Sequence, residues 1–564
     1  MKYLIVGGVA GGASTAARLR RMDEHAEIIM FEKGAYVSYA NCGLPYYIGD
    51  VIKERNKLFV QTATGFKERF NIDARTNTEV SSINRVNKFV IAKNLLTGEV
   101  YEENYDKLVL SPGAEPIRPP LPGIELPGIF TLRNVPDTDK IKAFANNRAG
   151  GKAVVIGGGF IGLEMAENLH QLGMGVTIVE MANQVMAPVD FPIAAIVQQH
   201  IRSKGVELLL NTAVSGFEQN EDGLIVNFND GSYTYADLVI LSIGVKPDTK
   251  LAINAGLEIG KAKAIWVNEY LQTSDPDIYA VGDAIEFENP IINRPLNTYL
   301  AGPANKQGRI CADNIVLGNK HSYKGAINTA IVKVFDLTVG TTGMASKFLK
   351  HFDIPHLVST TKSASHAGYY PNANQMTMQI TFSPTDGKLL GAQVTGIDGV
   401  DKRIDVLATI IQKGGTIYDL TELEHAYAPP YSSAKDPVNM AGFVAENLLH
   451  GLFKVSYWNE FTDQFERNSD SMLIDVRTAQ EHFTKTIPGA INIPVDELRE
   501  RLQEIPKEKA LYVFCEIGLR GYLAQRILRQ HGYNEVYNLS GGFSLWNVAN
   551  IEIELGKKLE HLAN

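Results

Sequence analysis

Ala153-Val154-Val155-Ile156-Gly157-Gly158-Gly159-Phe160-Ile161-Gly162 is the stretch on which the fold turns. An apolar run of strand length enters a glycine turn, a helical stretch follows through Leu172, and a second apolar run, Val176-Thr177-Ile178-Val179, ends on Glu180. Gly157, Gly159 and Gly162 fit G-x-G-x-x-G. Such a turn lets backbone amides approach a pyrophosphate, and the helix N-terminus adds favourable partial charge. The same unit appears at the start of the chain, where Tyr3-Leu4-Ile5-Val6-Gly7-Gly8-Val9-Ala10-Gly11-Gly12 leads through an Ala/Arg-rich helical stretch to Glu27-Ile28-Ile29-Met30-Phe31-Glu32. Val9 stands where a middle glycine belongs, although Gly8, Gly11 and Gly12 surround it. Either string alone would be weak; two copies, each closed by an acidic residue about 20 to 25 positions on, predict two dinucleotide-binding folds.

The acidic residues indicate which nucleotides. Glu32 and Glu180 can accept hydrogen bonds from ribose hydroxyls, and a carboxylate repels a 2′-phosphate, so Glu180 favours NADH over NADPH. The plain alternative is a solvated carboxylate at a strand end.

The chain has 564 residues, too many for one core, with 54 Lys plus Arg against 63 Asp plus Glu and a net charge of -9. The interspersed signs give no footprint for nucleic acid or an anionic membrane. Three cysteines, Cys42, Cys311 and Cys515, lie far apart, which excludes a disulfide scaffold and fits a reducing cytosol. Met1 leads straight into an apolar strand, and no run has the length of a signal peptide or membrane span, so a cytoplasmic, soluble protein is expected. The histidines show no metal-ligand spacing. From about residue 326 the pattern changes to strands with turns, as in Met376-Thr377-Met378-Gln379-Ile380-Thr381-Phe382, then a helix from Asp401. Another shift near Gly451 to Trp458 precedes a segment long enough for a separate domain.

Thr273-Ser274-Asp275-Pro276-Asp277-Ile278-Tyr279-Ala280-Val281-Gly282-Asp283-Ala284 resembles the second FAD motif of the flavoprotein disulfide reductases. Ser111-Pro112-Gly113-Ala114 and Leu241-Ser242-Ile243-Gly244 resemble the turns by which that family crosses between its FAD and NAD domains. The resemblance covers about residues 1 to 448. It implies FAD held by Gly7, Gly8, Gly11, Gly12, Glu32, Lys33, Ser111, Gly113 and Asp283 (the last on the ribitol), and NADH held around Gly157, Gly159, Gly162, Glu180 and Gly244.

Within this resemblance the string Ser38-Tyr39-Ala40-Asn41-Cys42-Gly43-Leu44-Pro45 offers one cysteine where dithiol members carry two. It is similar to the single-cysteine coenzyme A-disulfide reductases, as are Ser365-His366-Ala367-Gly368-Tyr369-Tyr370-Pro371 and Tyr427-Ala428-Pro429-Pro430-Tyr431-Ser432-Ser433-Ala434-Lys435-Asp436. The implied catalytic set is Cys42, with Tyr369 and Tyr427 contributed by the other subunit of a homodimer. A phenol can give a proton to a departing thiolate; interface packing is the plainer role for both tyrosines. Leu44 to Ile48 is expected to begin a helix whose dipole lowers the Cys42 pKa. Ser14, Arg18, Arg21, Ser38, Asn41 and Lys435 match the family's coenzyme A contacts, against a solvated basic helix face for the two arginines. Phe70 stands where the family has a lysine.

The C-terminal segment resembles a rhodanese domain through Leu473-Ile474-Asp475-Val476-Arg477, Ile487-Pro488-Gly489-Ala490 and Phe514-Cys515-Glu516-Ile517-Gly518-Leu519-Arg520. Cys515 then carries sulfane sulfur, with Arg520 closing its loop, and Thr486 stands where many rhodaneses have histidine. Cys311 is expected to be a core residue.

The fold expected is α/β: two Rossmann-like dinucleotide-binding domains, an α+β dimerisation domain and a C-terminal rhodanese domain. The boundaries are 1–112 and 246–325 for the FAD parts, 113–245 for NAD, 326–450 for the dimerisation domain, 451–458 for a linker and 459–564 for the rhodanese. The function expected is NADH-dependent reduction of coenzyme A persulfide or polysulfide to sulfide. Coenzyme A-disulfide reduction, a peroxidase or NADH oxidase cycling through a sulfenic acid, and a non-enzymatic redox-sensing scaffold are the alternatives.

Overall fold

A computed structural model describes every residue except 222, 468, 469 and 564, and side chains at all described positions but 466, 467 and 558–563. The chain divides into two compact units, Met1–Met181 with Thr212–Asn328, and Ala182–Asn211 with Thr329–Asn564.

In the first unit the opening unit of strand, glycine turn and helix folds as its pattern dictates. Strands Ile278–Ala280, Lys107–Leu110, Lys2–Val6, Glu27–Phe31 and Asp73–Arg75 lie side by side in that order, all parallel. Leu4, Ile5, Leu108 and Val109 are fully buried, as expected of central strands covered on both faces. Helix Ala10–Met22 packs against Ala301–Leu317 so closely that a Cβ on Gly308 would lie 2.6 Å from the Gly11 carbonyl oxygen. The second copy places Gly175–Val179, Lys152–Ile156, Leu238–Leu241 and Ile129–Thr131 in a parallel sheet. The two chain crossings pair with each other as antiparallel strands Ala114–Pro116 and Val245–Pro247.

The second unit holds an antiparallel sheet in the order Ala330–Val334, Leu337–Gly343, Leu389–Gly396, Gln375–Phe382, Leu357–Ala364. Residues 182–211, expected within the NAD-binding span 113–245, belong to this unit. Among the contacts that tie them there, the buried carboxylate of Asp190 accepts the backbone N–H groups of Ser346 and Lys347, both at 3.0 Å, and the amides of Gln379 at 2.6 Å and Gln393 at 2.7 Å. Single-sequence reading could not see those partners, which lie more than 150 residues away along the chain.

The C-terminal segment forms a parallel sheet, Lys454–Ser456, Val536–Leu539, Ala510–Phe514, Ser471–Asp475, Ile491–Asn492. Strand Lys454–Ser456 lies inside the span read as a linker, and it pairs with Val536–Leu539 as a sheet edge. Within the unit this sheet docks on the antiparallel one: Lys362 Nζ donates to Ser544 Oγ at 2.7 Å and Tyr457 Oη to the Val358 carbonyl at 3.3 Å. Among the described residues no helix is long and apolar enough to cross a membrane.

Candidate active site

The two glycine turns are built alike. Gly7 has φ +100° and Gly157 φ +106°, both in the region that favours glycine. A Cβ on Gly12 would lie 1.9 Å from the Gly7 carbonyl oxygen, and one on Gly162 2.0 Å from that of Gly157, so each last glycine permits helix and strand to touch. Val9 in the first copy sits at the helix N-cap, and the close contact is made by Gly12 against Gly7.

Glu32 Oε2 accepts from Gly8 N at 2.9 Å and Oε1 from Gly34 N at 2.7 Å; Glu180 Oε2 accepts from Gly158 N at 2.7 Å. Neither is a loosely solvated strand end. Each carboxylate is aimed back at its own turn.

A cavity of about 380 Å³ opens in the first unit, lined by Gly7, Gly8, Gly11, Glu32, Ser111 and Asp283 among others. Lys33 and Gly113 also line it, as does Asn41. Lys33 Nζ is held by Glu115 at 3.1 Å. Asp283 is raised to about 6 by burial, with Arg133 pulling it down. Gly244, with φ +113°, accepts Ile117 N at 3.0 Å and so ties the two crossings together. These residues fit FAD: an amide-lined turn for the pyrophosphate, a carboxylate for the ribose and a cavity beside them.

Cys42 lies in a helical turn, Asn41–Gly43, that runs into the short helix Leu44–Ile48. The residue is exposed. Although the residue is open to solvent, desolvation by the groups packed around the thiol pushes its pKa up, helped by Glu164 and Asp283, while a backbone hydrogen bond pulls it down. The lowering expected from a helix dipole is not what results: the helix has five residues, and desolvation first, then Glu164 and Asp283, act in the opposite direction. Ser38, with φ +44°, donates its N–H to the Gly8 carbonyl at 2.7 Å, which fixes the cysteine segment to the first glycine turn.

Of the expected coenzyme A contacts, Ser14 Oγ donates to Asn305 Oδ1, and Arg18 Nε donates to Asp313 Oδ1 at 2.6 Å. Arg21 is exposed on the same helix, and Lys435 is exposed in the second unit. Arg18 thus already has an anionic partner, which any phosphate would have to share.

Tyr369 and Tyr427, both exposed, meet through their hydroxyls at 2.8 Å. The loops that carry them are clamped from below by Arg403, fully buried, which pairs with Asp436 at 2.8 Å and donates to the Ser365 carbonyl at 2.9 Å. Ala367 N donates to the Ser432 carbonyl at 3.1 Å.

In the C-terminal sheet Cys515 follows the buried strand Ala510–Phe514, and Gly518, with φ +105°, turns its N–H onto Cys515 Sγ at 3.1 Å. Arg520 forks onto Glu481 with two contacts of 2.7 Å and holds that carboxyl at about 2. Thr486, in place of the usual histidine, donates to Asp475 Oδ2 at 2.9 Å, and Asp475 is bridged to Arg477 at 2.8 Å. Cys311 is buried in helix Ala301–Leu317, and burial raises its thiol.

Sequence reasoning missed Glu164, Tyr46, Arg403 and Glu481. Glu481 carried a local signal, since Thr478 and Glu481 form a capping box. The others depend on long-range contacts.

The family profile of the pyridine nucleotide-disulphide oxidoreductases matches residues 1–307, that family's dimerisation domain matches 329–437, and the rhodanese-like domain matches 458–549. The coenzyme A disulfide reductase of Staphylococcus haemolyticus is 37% identical over 448 residues, 79% of this chain and 100% of its own length. Reduced Bacillus anthracis CoADR-RHD is 51% identical with a TM-score of 0.95 over 98% of each chain. A NAD-dependent persulfide reductase from A. fulgidus is 40% identical with a TM-score of 0.90, covering 97% of this chain and 100% of that one.

Proposed function

The chain belongs to the pyridine nucleotide-disulphide oxidoreductase family, with a rhodanese-like domain fused behind it, and from that premise we propose that it is an FAD- and NADH-dependent homodimeric reductase of coenzyme A persulfide or polysulfide that releases sulfide. The observation that carries the choice of substrate is the second cysteine. Cys515 sits in an amide-capped loop suited to sulfane sulfur, and symmetrical disulfide reduction has no use for it. The likeness to a NAD-dependent persulfide reductase over nearly the whole chain supports the same reading. Coenzyme A-disulfide reduction is the second reading, favoured by the staphylococcal relatives, which align over their full length and leave a fifth of this chain unmatched.

In the reaction, Cys42 thiolate attacks the substrate sulfur–sulfur bond. A bond from Sγ to sulfur forms as the substrate bond breaks, and the leaving sulfur takes the electron pair. Tyr369 of the partner subunit, linked to Tyr427 of the partner subunit, supplies a proton to that sulfur. Ser14, Arg18, Arg21, Ser38, Asn41 and Lys435 hold coenzyme A, with Arg18 shared between Asp313 and a phosphate. FAD, when bound, supplies two-electron transfer from NADH. Overall, one NADH and one proton convert a persulfide to a thiol and hydrogen sulfide.

Steady-state NADH consumption by wild type, Cys42→Ser and Cys515→Ser, with coenzyme A persulfide, inorganic polysulfide and coenzyme A disulfide, tests this. Cys42→Ser should abolish all three activities. A wild-type preference for the disulfide, or for peroxide or oxygen, would reverse the ranking.

A further inference from the structure

Lys362 stands where a lysine is electrostatically out of place. It lies on Leu357–Ala364, the edge strand of the antiparallel sheet, and its Nζ donates at 2.7 Å to Ser544 Oγ in the first turn of helix Gly542–Ala563. The positive end of a helix disfavours a cation. A cavity of about 120 Å³ adjoins the strand, and Lys362 is the one charged side chain among the described residues that line it. Burial lowers the pKa of the ammonium, and Glu516 opposes that fall. Local rules of this kind are broken chiefly at functional sites.

What Ser544 holds is the Cys515 loop. Ser544 N donates to the Glu516 carbonyl at 3.0 Å, and Phe543 N donates to the Cys515 carbonyl at 2.7 Å. The first N–H groups of a helix have no partner within it, and here the loop carbonyls supply one to each. With those carbonyls turned to the helix, Gly518 N is left to meet Cys515 Sγ at 3.1 Å. The fit is close, since a Cβ on Gly542, with φ +71°, would lie 2.6 Å from the Glu516 carbonyl oxygen. Ile517, Gly518 and Leu519 of the loop line the same cavity as Lys362. The Glu516 side chain has its own partner in Arg477 Nη1 at 2.9 Å, so the hydrogen bond from the lysine reaches the loop through Ser544.

We propose that Lys362 is a positioning residue for Cys515, a side chain of the dimerisation domain that sets the sulfur-carrying loop by holding Ser544. The proposal rests on the reading of Cys515 as a carrier of sulfane sulfur. Lys362 fixes Ser544, Ser544 and Phe543 fix the loop carbonyls, and Gly518 N stays aimed at the sulfur. The rhodanese domain is then no free-standing appendage: the strand that leads into the Tyr369 loop also sets the geometry of its cysteine.

The test uses the full-length holoenzyme and two readouts at Cys515. One is sulfur transfer from inorganic thiosulfate to cyanide, with inorganic polysulfide as a second donor. The other is the rate at which iodoacetamide alkylates Cys515 relative to Cys42 in the same protein, read by peptide mass spectrometry. Lys362→Met should lower kcat for thiocyanate formation about tenfold with KM for thiosulfate unchanged, and should slow Cys515 alkylation by a similar factor. Lys362→Arg, which keeps a donor for Ser544, should recover most of both. Ser544→Ala should match Lys362→Met, with the double variant no worse, and it carries the test if the methionine variant fails to fold. The flavin spectrum and its bleaching by NADH should not change. Rates indistinguishable from wild type in both single variants overturn the positioning role, and so does a loss that the arginine variant fails to recover. Alkylation that shifts with the variants, in a protein whose Cys515 takes sulfur from neither donor, upholds the positioning and refutes the sulfur-carrying reading; sulfur transfer with alkylation and kcat unshifted does the reverse.

Discussion

Tyr369 Oη and Tyr427 Oη lie 2.8 Å apart on the exposed face of the second unit, one hydrogen bond joining two loops 58 residues apart in sequence. That bond raises the Tyr369 phenol above its ordinary value. Tyr369→Phe and Tyr427→Phe should each lower kcat for coenzyme A persulfide by about 10² with flavin content unchanged. Since the two act as one unit, the double variant should be no more than a few-fold slower than the worse single one, measured in a double-mutant cycle.

Arg403 holds both loops through its buried pair with Asp436 at 2.8 Å. Arg403→Met leaves Asp436 uncompensated and should cost roughly 3–5 kcal/mol of stability. Thermal unfolding should show a lower Tm, and kcat should fall although the substituted side chain touches no substrate.

Glu180 Oε2 is held by Gly158 N at 2.7 Å. Glu180→Gln keeps an acceptor for that amide but removes the charge that repels a 2′-phosphate. The ratio of kcat/KM for NADPH to that for NADH should rise about tenfold, as expected for the loss of one charge-assisted contact. An unchanged ratio would remove Glu180 from cofactor choice.

Glu164 gives stability a pH dependence of definite sign. Its carboxyl is near 7 when folded, above the ordinary value of about 4.3 in an unfolded chain. The folded state therefore binds more protons between these values, and stability falls as pH rises from about 4 to about 7, then levels off. Glu164→Gln should flatten this slope and exceed wild type by up to about 3 kcal/mol above neutral pH. Denaturation of both proteins at pH 5 and pH 8 measures the difference.

The parts of the fold legible in the sequence were those set by local pattern. Gly157, Gly159 and Gly162 with the apolar runs on either side define strand, turn and helix without help from elsewhere, and Cys515 before Gly518 and Arg520 marks its loop equally well. What stayed hidden is long-range. The Asp190 carboxylate, in the segment 182–211 of the second unit, takes its amide partners from Gln379 and Gln393, far along the chain. Strand Lys454–Ser456 looked like a linker because three residues carry no periodicity, and only Val536–Leu539 beside it makes them a strand. At Cys42 the local helix signal gave the helix but not the direction of the thiol's shift, because desolvation by the packed surroundings comes first and Glu164 adds to it from a helix more than a hundred residues later.

The central claim is that Cys42 is the thiol through which NADH reduces a sulfane sulfur. The direct measurement is sulfide released per NADH consumed when the holoenzyme is given coenzyme A persulfide, in wild type and Cys42→Ser. One sulfide per NADH in wild type and none in Cys42→Ser is the expected result; sulfide released at an undiminished rate by the serine variant would contradict it.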